Sequence, residues 1–207
     1  MDKQGVGVDR MYQAMIALGH RPPTIEEIAG PFVETTLVGG RPVLPVLELV
    51  SSIVPEARQD DYRIAIVLYL LFQRPFITID VVARGLQSGK EAARNALEAA
   101  RQTTVAGAPL IIAHDGVWLL GNACREILRK VEPSPFSPVR YLSTDQAELT
   151  NAAMLWLSEV GDLATSDLMA MCGVSRGTAK ACVDGLVDEE RVIAVGGGRS
   201  RRYRRVD

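Results

Sequence analysis

The sequence of 207 residues contains few aromatic residues, cysteines or histidines and no long apolar run. Because aromatics make up only 5% of the residues, the core must consist mainly of leucine, valine, isoleucine and alanine. No apolar run approaches the roughly 20 residues that span a bilayer. The first residues also lack the apolar segment of a secretory signal peptide. We therefore expect a cytoplasmic protein with no membrane partner.

Metal binding and catalysis also lack support in the sequence. The three cysteines cannot all pair with one another, and none has the spacing of a metal ligand. Cys172 and Cys182 fall on predicted apolar helix faces, where small buried thiols are common. His20 and His114 are isolated, and no Ser-His-Asp set, carboxylate pair or phosphate-binding loop can be assembled. We expect a binding protein, not an enzyme, without cofactor or metal.

Positive charge is concentrated near the end of the chain. The formal net charge is only −2, yet residues 199–205 hold five arginines and no acid. Four acids lie before this segment, at the far end of the preceding predicted helix: Asp184, Asp188, Glu189 and Glu190. A local cationic tip on a nearly neutral protein is suited to contact with phosphates.

Two stretches follow one plan, which indicates an internal repeat. The second copy has predicted helices over 165–172 and 176–188, a turn over 173–175 and a strand over 192–195, followed by Gly196, Gly197, Gly198 and the arginines. The first copy has helices over 79–86 and 90–101, a turn over 87–89 and a hairpin over 110–120. Val82 aligns with Leu168, and Arg94 with Lys180, at one constant separation. The plan predicts tandem winged helix-turn-helix domains.

Proline and glycine suggest the domain boundaries. Segment 132–138 has three prolines and predicts a stiff, extended linker within 132–143. The first winged-helix domain is then predicted over 45–131 and the second over 144–207, with first helices over 62–72 and 146–160. Segment 43–57 is ambiguous: it fits a strand followed by a helix, or a single helix over 45–54, which we prefer. The predicted fold class is mainly α with small β-hairpins, that is, α+β.

The second copy supplies most of the candidate nucleic-acid-binding residues. Recognition helices contact base edges in the major groove, and wing cations bind the backbone or enter the minor groove. Ser175 is the predicted N-cap of the recognition helix. The predicted DNA contacts are Arg176, Thr178 and Lys180 on the helix and Arg199, Arg201, Arg202 and Arg204 on the wing, without competing acids. Tyr203 either packs under the hairpin or hydrogen-bonds a phosphate. Alternatively, the arginines form a solvated tail.

The first copy has a weaker DNA-binding signature. Its helix offers Lys90, Arg94 and Asn95, but acids lie among them. Its hairpin tip holds His114 and Asp115 and no arginine. The sequence leaves DNA binding and protein contact equally open for this copy.

The N-terminal segment does not fit a winged helix. A helix from Gly5 to Leu18 is followed by Gly19, a proline-rich turn and a strand over 32–37. Three groups of residues match one series of motifs in the same order: Gly5, Gly7, Arg10 and Met11, then Gly19, Pro22 and Pro23, and then Phe32, Val33 and Glu34. Through these motifs, the segment resembles the end of the ATP-binding domain of bacterial Schlafen-like (AlbA-type, RecG-like) transcriptional regulators.

That resemblance implies a C-terminal remnant of an α/β ATP-binding domain over 1–44, followed by winged helices. It also implies that the chain is a fragment of a longer protein, whose remaining nucleotide-binding elements lie upstream. A lone Gly-x-Gly cannot hold ATP, so ATP is expected only in the longer protein, if at all.

These observations predict a transcriptional regulator whose winged helices bind double-stranded DNA, with a homodimer possible. The alternative is a protein-interaction or dimerisation module of a larger ATP-binding regulatory protein, in which the arginines bind an acidic partner. Salt-dependent binding to duplex DNA distinguishes the two, because phosphate contacts release counterions.

Overall fold

The computed structural model describes residues 6–20, 23–129, 142–198 and 201–206, and its fold class is α+β, as predicted. The predicted linker 132–138 lies outside the described residues, as do Gly5, Pro22 and Arg199. The N-terminal elements are α1 (Val6–Ala17), β1 (Thr24–Ile28), β2 (Phe32–Thr36), α2 (Leu44–Ser51) and β3 (Ile53–Val54). The central ones are α3 (Tyr62–Gln73), α4 (Ile79–Gly85), α5 (Lys90–Arg101), β4 (Thr104–Val105), β5 (Ala108–Pro109), β6 (Ile111–His114), β7 (Val117–Leu120) and α6 (Asn122–Leu128). The last are α7 (Gln146–Glu159), β8 (Asp162–Leu163), α8 (Thr165–Cys172), α9 (Arg176–Asp188), β9 (Val192–Val195) and β10 (Arg202–Arg205).

The second unit, α7–α9 with β8–β10, forms three helices against an antiparallel sheet of order β8-β10-β9. The sequence predicts α8, α9 and β9 with the bounds that are observed. Helix α7 begins where the Asp145 carboxylate accepts hydrogen bonds from two backbone amides. Gly173 ends α8 with φ 67°, a left-handed conformation that favours glycine. A Cβ at this position would lie 2.1 Å from Leu142 Cδ2, so any other residue would also displace the Leu142 side chain.

The first unit, α3–α5 with β6 and β7, repeats this order of elements. Ile77 exchanges two backbone hydrogen bonds of 2.9 Å with Trp118 on β7. The strand order is thus Ile77, β7, β6, equivalent to β8, β10, β9 in the second unit. Ile77 and Leu163 are separated by the same number of residues as the aligned positions of the sequence repeat. The first residues of α4 and α8 have this separation too, and so do those of α5 and α9. The internal repeat is therefore present in the structure.

The predicted apolar stripes of the two third helices are buried. Every residue of these stripes is at most 2% exposed: Ala93, Ala96, Leu97 and Ala100 of α5, and Ala179, Cys182, Val183 and Leu186 of α9. The small alanines of α5 let α3 and α4 approach it closely. This close packing buries the apolar stripe of α5, as an amphipathic helix requires. The opposite faces of both helices carry the charged residues.

The N-terminal elements agree with the sequence only in part. Helix α1 packs on α3, and its Ile16 is 1% exposed. The predicted strand over 32–37 is observed as β2, but its antiparallel partner β1 was not predicted. The helix expected over 45–54 is correct for α2 and wrong beyond it. There, Ile53 leaves the helix to pair with Val105, because β3 adds to the β4–β5 ribbon.

Asp61 anchors the start of α3 and makes a testable contribution to stability. Its carboxylate accepts a hydrogen bond from the Arg63 amide and forms ion pairs of 2.7 Å with Arg58 and Arg63. Burial alone would raise the pKa of the Asp61 carboxyl, but the hydrogen bonds from the two arginines lower it below its ordinary value of 3.8. The folded state therefore favours the charged form of Asp61.

We expect Asp61→Ala to cost about 0.5–2 kcal/mol of unfolding free energy, as the loss of an N-cap does. Since the folded pKa is lowered, the contribution is present above pH 3.8 and is lost as the pH falls through the folded pKa. Urea denaturation at neutral and acidic pH measures both effects. The neighbouring exposed Asp60→Ala is the control, and equal losses for the two variants would contradict this assignment.

Candidate nucleic-acid interface

A concave groove lies where α8, the start of α9 and the β9–β10 hairpin meet. We call it the α8–α9 groove; its cavity volume is about 470 Å³, and its lining includes Thr165, Ser166, Arg176, Lys180, Gly198 and Arg201. The groove brings two predicted recognition-helix cations together with one predicted hairpin cation. Arg201 follows Arg176 by 25 positions and Lys180 by 21. All three line one surface because the hairpin folds back beside α9.

The first turn of α9 places these side chains. The Ser175 hydroxyl oxygen accepts a hydrogen bond of 3.1 Å from the Thr178 amide, which confirms Ser175 as the N-cap. The two hydroxyl groups of Ser175 and Thr178 also lie 2.9 Å apart. Arg176, between them in sequence, and Lys180, one turn on, are both exposed. The helix start therefore presents two hydroxyls and two cations outward.

The glycines before β10 allow the hairpin to return to the groove. Gly196 has φ 77° and Gly198 φ 61°, values that most other residues rarely adopt. The following residue with described coordinates, Arg201, is exposed and lines the groove. Lys180 forms an ion pair with Asp184 on the same face of α9. Because exposed ion pairs are weak, an external anion can replace Asp184 at low cost.

The structure corrects the prediction for Arg202. Its guanidinium lies 3.1 Å from a carboxylate oxygen of Asp167 and 3.2 Å from one of Asp115. The hydrogen bond to Asp115 raises the pKa of the Arg202 guanidinium. The expectation of wing arginines without competing acids is therefore wrong at this position. Both acids are distant in sequence, so local charge counting could not detect them.

Two other predicted contacts also have partners inside the protein. Tyr203 is 3% exposed and packs in the core beneath the sheet, so of its two predicted roles packing is the one observed. Arg204 is exposed, and its guanidinium lies 3.5 Å from an Asp162 carboxylate oxygen across the sheet. Among the described residues, the predicted cations that line the groove are Arg176, Lys180 and Arg201.

The hairpin of the first unit docks on the second unit. At its tip, His114 Nε2 lies 3.0 Å from a carboxylate oxygen of Asp167, which is itself buried. Phe76 packs edge-to-face on Trp156 with ring centroids 5.1 Å apart. Val117 and Leu119 of β7 are buried in the same hydrophobic cluster as the residues of the second unit. Side chains of the first unit therefore complete the hydrophobic core of the second.

Buried polar contacts strengthen this junction. Arg125 of α6 is 2% exposed and donates hydrogen bonds of 2.7 Å to the Leu120 carbonyl and 2.6 Å to the Ala170 carbonyl. Arg74 forms an ion pair with Glu159 of α7. Asp167 also accepts a 2.7 Å hydrogen bond from the Ala164 amide at the start of α8. None of these residues was predicted from the sequence, because the contacts that cross the junction, from Arg125 to Ala170 and from Arg74 to Glu159, join distant segments.

Arg202 and Arg201 provide a matched test of this junction. We expect Arg202→Ala to cost about 1–3 kcal/mol of unfolding free energy, because buried Asp167 loses a charged partner. The adjacent exposed Arg201→Ala should stay within about 0.5 kcal/mol of wild type. Chemical denaturation of both variants gives the difference. Equal stability would mean that Arg202 does not stabilise the junction.

The equivalent face of the first unit carries its own predicted residues. Lys90, Arg94 and Asn95 of α5 are exposed, as expected. Lys90 Nζ lies 2.7 Å from a carboxylate oxygen of Asp80. Asp80 lies on α4, the helix before α5. Lys90 therefore has an acidic partner that the sequence of α5 alone does not reveal.

Other chemistry has little support among the described residues. Burial raises the pKa of the Cys124 thiol to about 12 and that of Cys172 to about 12, which disfavours reactive thiolates. Within the described ranges, no group of three or more histidine, cysteine or acidic side chains has metal-binding geometry. In the same part of the chain, no helix is long and apolar enough to span a bilayer.

Comparison with known proteins shows that the second unit is similar to a transcriptional-regulator domain. Residues 144–206 match the family described as "transcriptional regulator DIP2311-like, C-terminal domain". Residues 44–129 match DUF5635, a family of unknown function. A search of curated proteins found no match.

A solved structure resembles the whole chain. It is the crystal structure of the DIP2311 protein from Corynebacterium diphtheriae, with 98% sequence identity over 100% of this chain and a TM-score of 0.93. This chain spans 37% of the length of that chain. The predicted transcriptional-regulator character thus has support, whereas the Schlafen-like ATP-binding family stays a prediction.

Proposed function

We propose that the second unit is a winged helix-turn-helix that binds double-stranded DNA. Helix α9 is the recognition helix in the major groove, and the β9–β10 hairpin is the wing on the backbone or minor groove. The observation that carries the proposal is the convergence of Arg176, Lys180 and Arg201 in one groove at the start of α9. The chain acts by binding and not by catalysis.

The geometry suits a phosphate backbone beside a base-contacting helix. Phosphate contacts position a protein on DNA, and side chains at the N-terminal end of the recognition helix contact base edges. Arg176 and Thr178 lie in the first turn of α9, where they can contact bases, and Arg201 on the hairpin can contact phosphate. The helix dipole adds positive potential at the same end. The match of residues 144–206 to a transcriptional-regulator family supports this assignment.

The direct test is fluorescence anisotropy of the chain with labelled duplex DNA at several salt concentrations. We expect affinity to fall steeply between about 50 and 200 mM salt, because bound cations release counterions from the duplex. Absence of binding, or binding independent of salt, would reject the proposal.

A protein-interaction function is the second candidate, and one observation favours it. The hairpin of the first unit already serves as a docking element, with His114 bonded to Asp167. In this alternative the groove cations bind an acidic protein segment or a second copy of the chain. Capture of an acidic peptide without any affinity for duplex DNA would favour it.

A further inference from the structure

The two units place cations at equivalent positions. At the constant separation of the repeat, Lys90 corresponds to Arg176 and Arg94 to Lys180. Lys90 and Arg176 are the first residues of α5 and α9, respectively. Both helices follow a short helix and a tight turn. The repeat has therefore retained the charge pattern of the proposed DNA-binding surface in residues 44–129, the region matched by a family of unknown function.

A second, shallow groove lies beside these cations. We call it the α4–α5 groove; its cavity volume is about 740 Å³, and its lining includes Asp80, Arg84, Gln87, Ser88 and Lys90. The hydrogen bond from Lys90 lowers the pKa of the Asp80 carboxyl, with further attraction from Arg84 and Arg94. Three cations therefore lie near Asp80, and they outnumber Asp80 together with the one acid next to Lys90 on α5. Glu91, also exposed, occupies the neighbouring position on α5.

We propose that the α4–α5 groove is a second binding site for duplex phosphates, formed by Arg84 and Lys90 in its lining and by Arg94 beside it. The proposal rests on the proposed function of the second unit and extends it to the first. Arg84 was not a candidate in the sequence, because it lies on α4 and meets the α5 cations only in the folded structure.

The first unit contacts DNA through its helices alone. Its hairpin cannot serve as a wing, because the tip residues His114 and Asp115 are bonded to the second unit. A phosphate ligand is favoured over a protein ligand because Lys90 and Arg94 occupy positions equivalent to those of Arg176 and Lys180 in the second unit.

The test compares two double variants of the whole chain in the anisotropy assay. Arg84→Ala with Arg94→Ala removes one cation that lines the groove and one beside it. The control, Arg101→Ala with Arg129→Ala, removes two exposed arginines of equal charge that are ion-paired at the ends of α5 and α6. All four substitutions are at exposed positions, and denaturation curves check that both variants remain folded.

We expect the groove variant to flatten the salt slope by about one to two units and weaken binding about tenfold at roughly 0.1 M salt. The control should stay within about twofold of wild type, since its arginines lie outside the groove. Asp80→Asn should strengthen binding, because it releases Lys90. If the groove variant behaves like the control while substitution of the α8–α9 cations abolishes binding, this inference fails and the proposed function stands. If wild type does not bind duplex DNA, both fail.

Discussion

Replacing Trp156 with alanine is expected to lower the free energy of unfolding by about 3–5 kcal/mol. Trp156 is fully buried at the junction of the two units, and its indole N–H donates a 2.9 Å hydrogen bond to the Asp162 carbonyl. Its ring also contacts Phe76 of the first unit. Alanine removes the ring, leaves a cavity beside Phe76 and deprives the carbonyl of its donor.

Urea denaturation followed by circular dichroism measures this loss. Trp156→Phe is the matched variant: it retains a ring against Phe76 and loses the hydrogen bond together with part of the buried volume. We expect Trp156→Phe to lose about 1 kcal/mol from that bond, apart from any repacking. A loss below about 1 kcal/mol for Trp156→Ala would mean that the two units do not depend on a common core.

Removing the three cations of the α8–α9 groove is expected to abolish most DNA affinity. The variant combines Arg176→Ala, Lys180→Ala and Arg201→Ala. If each cation neutralises one phosphate, the slope of log affinity against log salt falls by about 0.9 for each, or two to three units in all. At roughly 0.1 M salt, binding should weaken by about a hundredfold.

A control of equal charge separates local contact from general attraction. Arg41→Ala, Arg101→Ala and Arg129→Ala together remove three exposed arginines that lie outside the α8–α9 groove. We expect this triple variant to keep most of the affinity and the salt slope. An unchanged slope in the groove variant would favour the protein-interaction alternative.

Local sequence signals predicted the second unit well. Ser175 before α9 and the apolar stripe containing Ala179 and Val183 predicted the observed helix bounds, because capping and amphipathicity act within a few residues. Gly173 similarly predicted the end of α8. The groove cations Arg176 and Lys180 were identified correctly as exposed for the same reason.

The junction could not be predicted in this way. Asp115 and Arg202 are 87 residues apart, and His114 and Asp167 are 53 apart, so no local pattern links them. In the sequence, Asp115 indicates only a hairpin tip, and Arg202 is one of five similar arginines. Packing between the two units selected Arg202 for the ion pair and left Arg201 facing the groove.

The junction also has a consequence for the dissection of this protein into fragments. The family match beginning at residue 144 omits Phe76, Val117 and Leu119, although these side chains complete the apolar layer around Trp156. A polypeptide limited to the matched region would expose that layer to water and leave Asp167 without His114. Sequence homology thus divides the chain at a position where its hydrophobic interior is continuous.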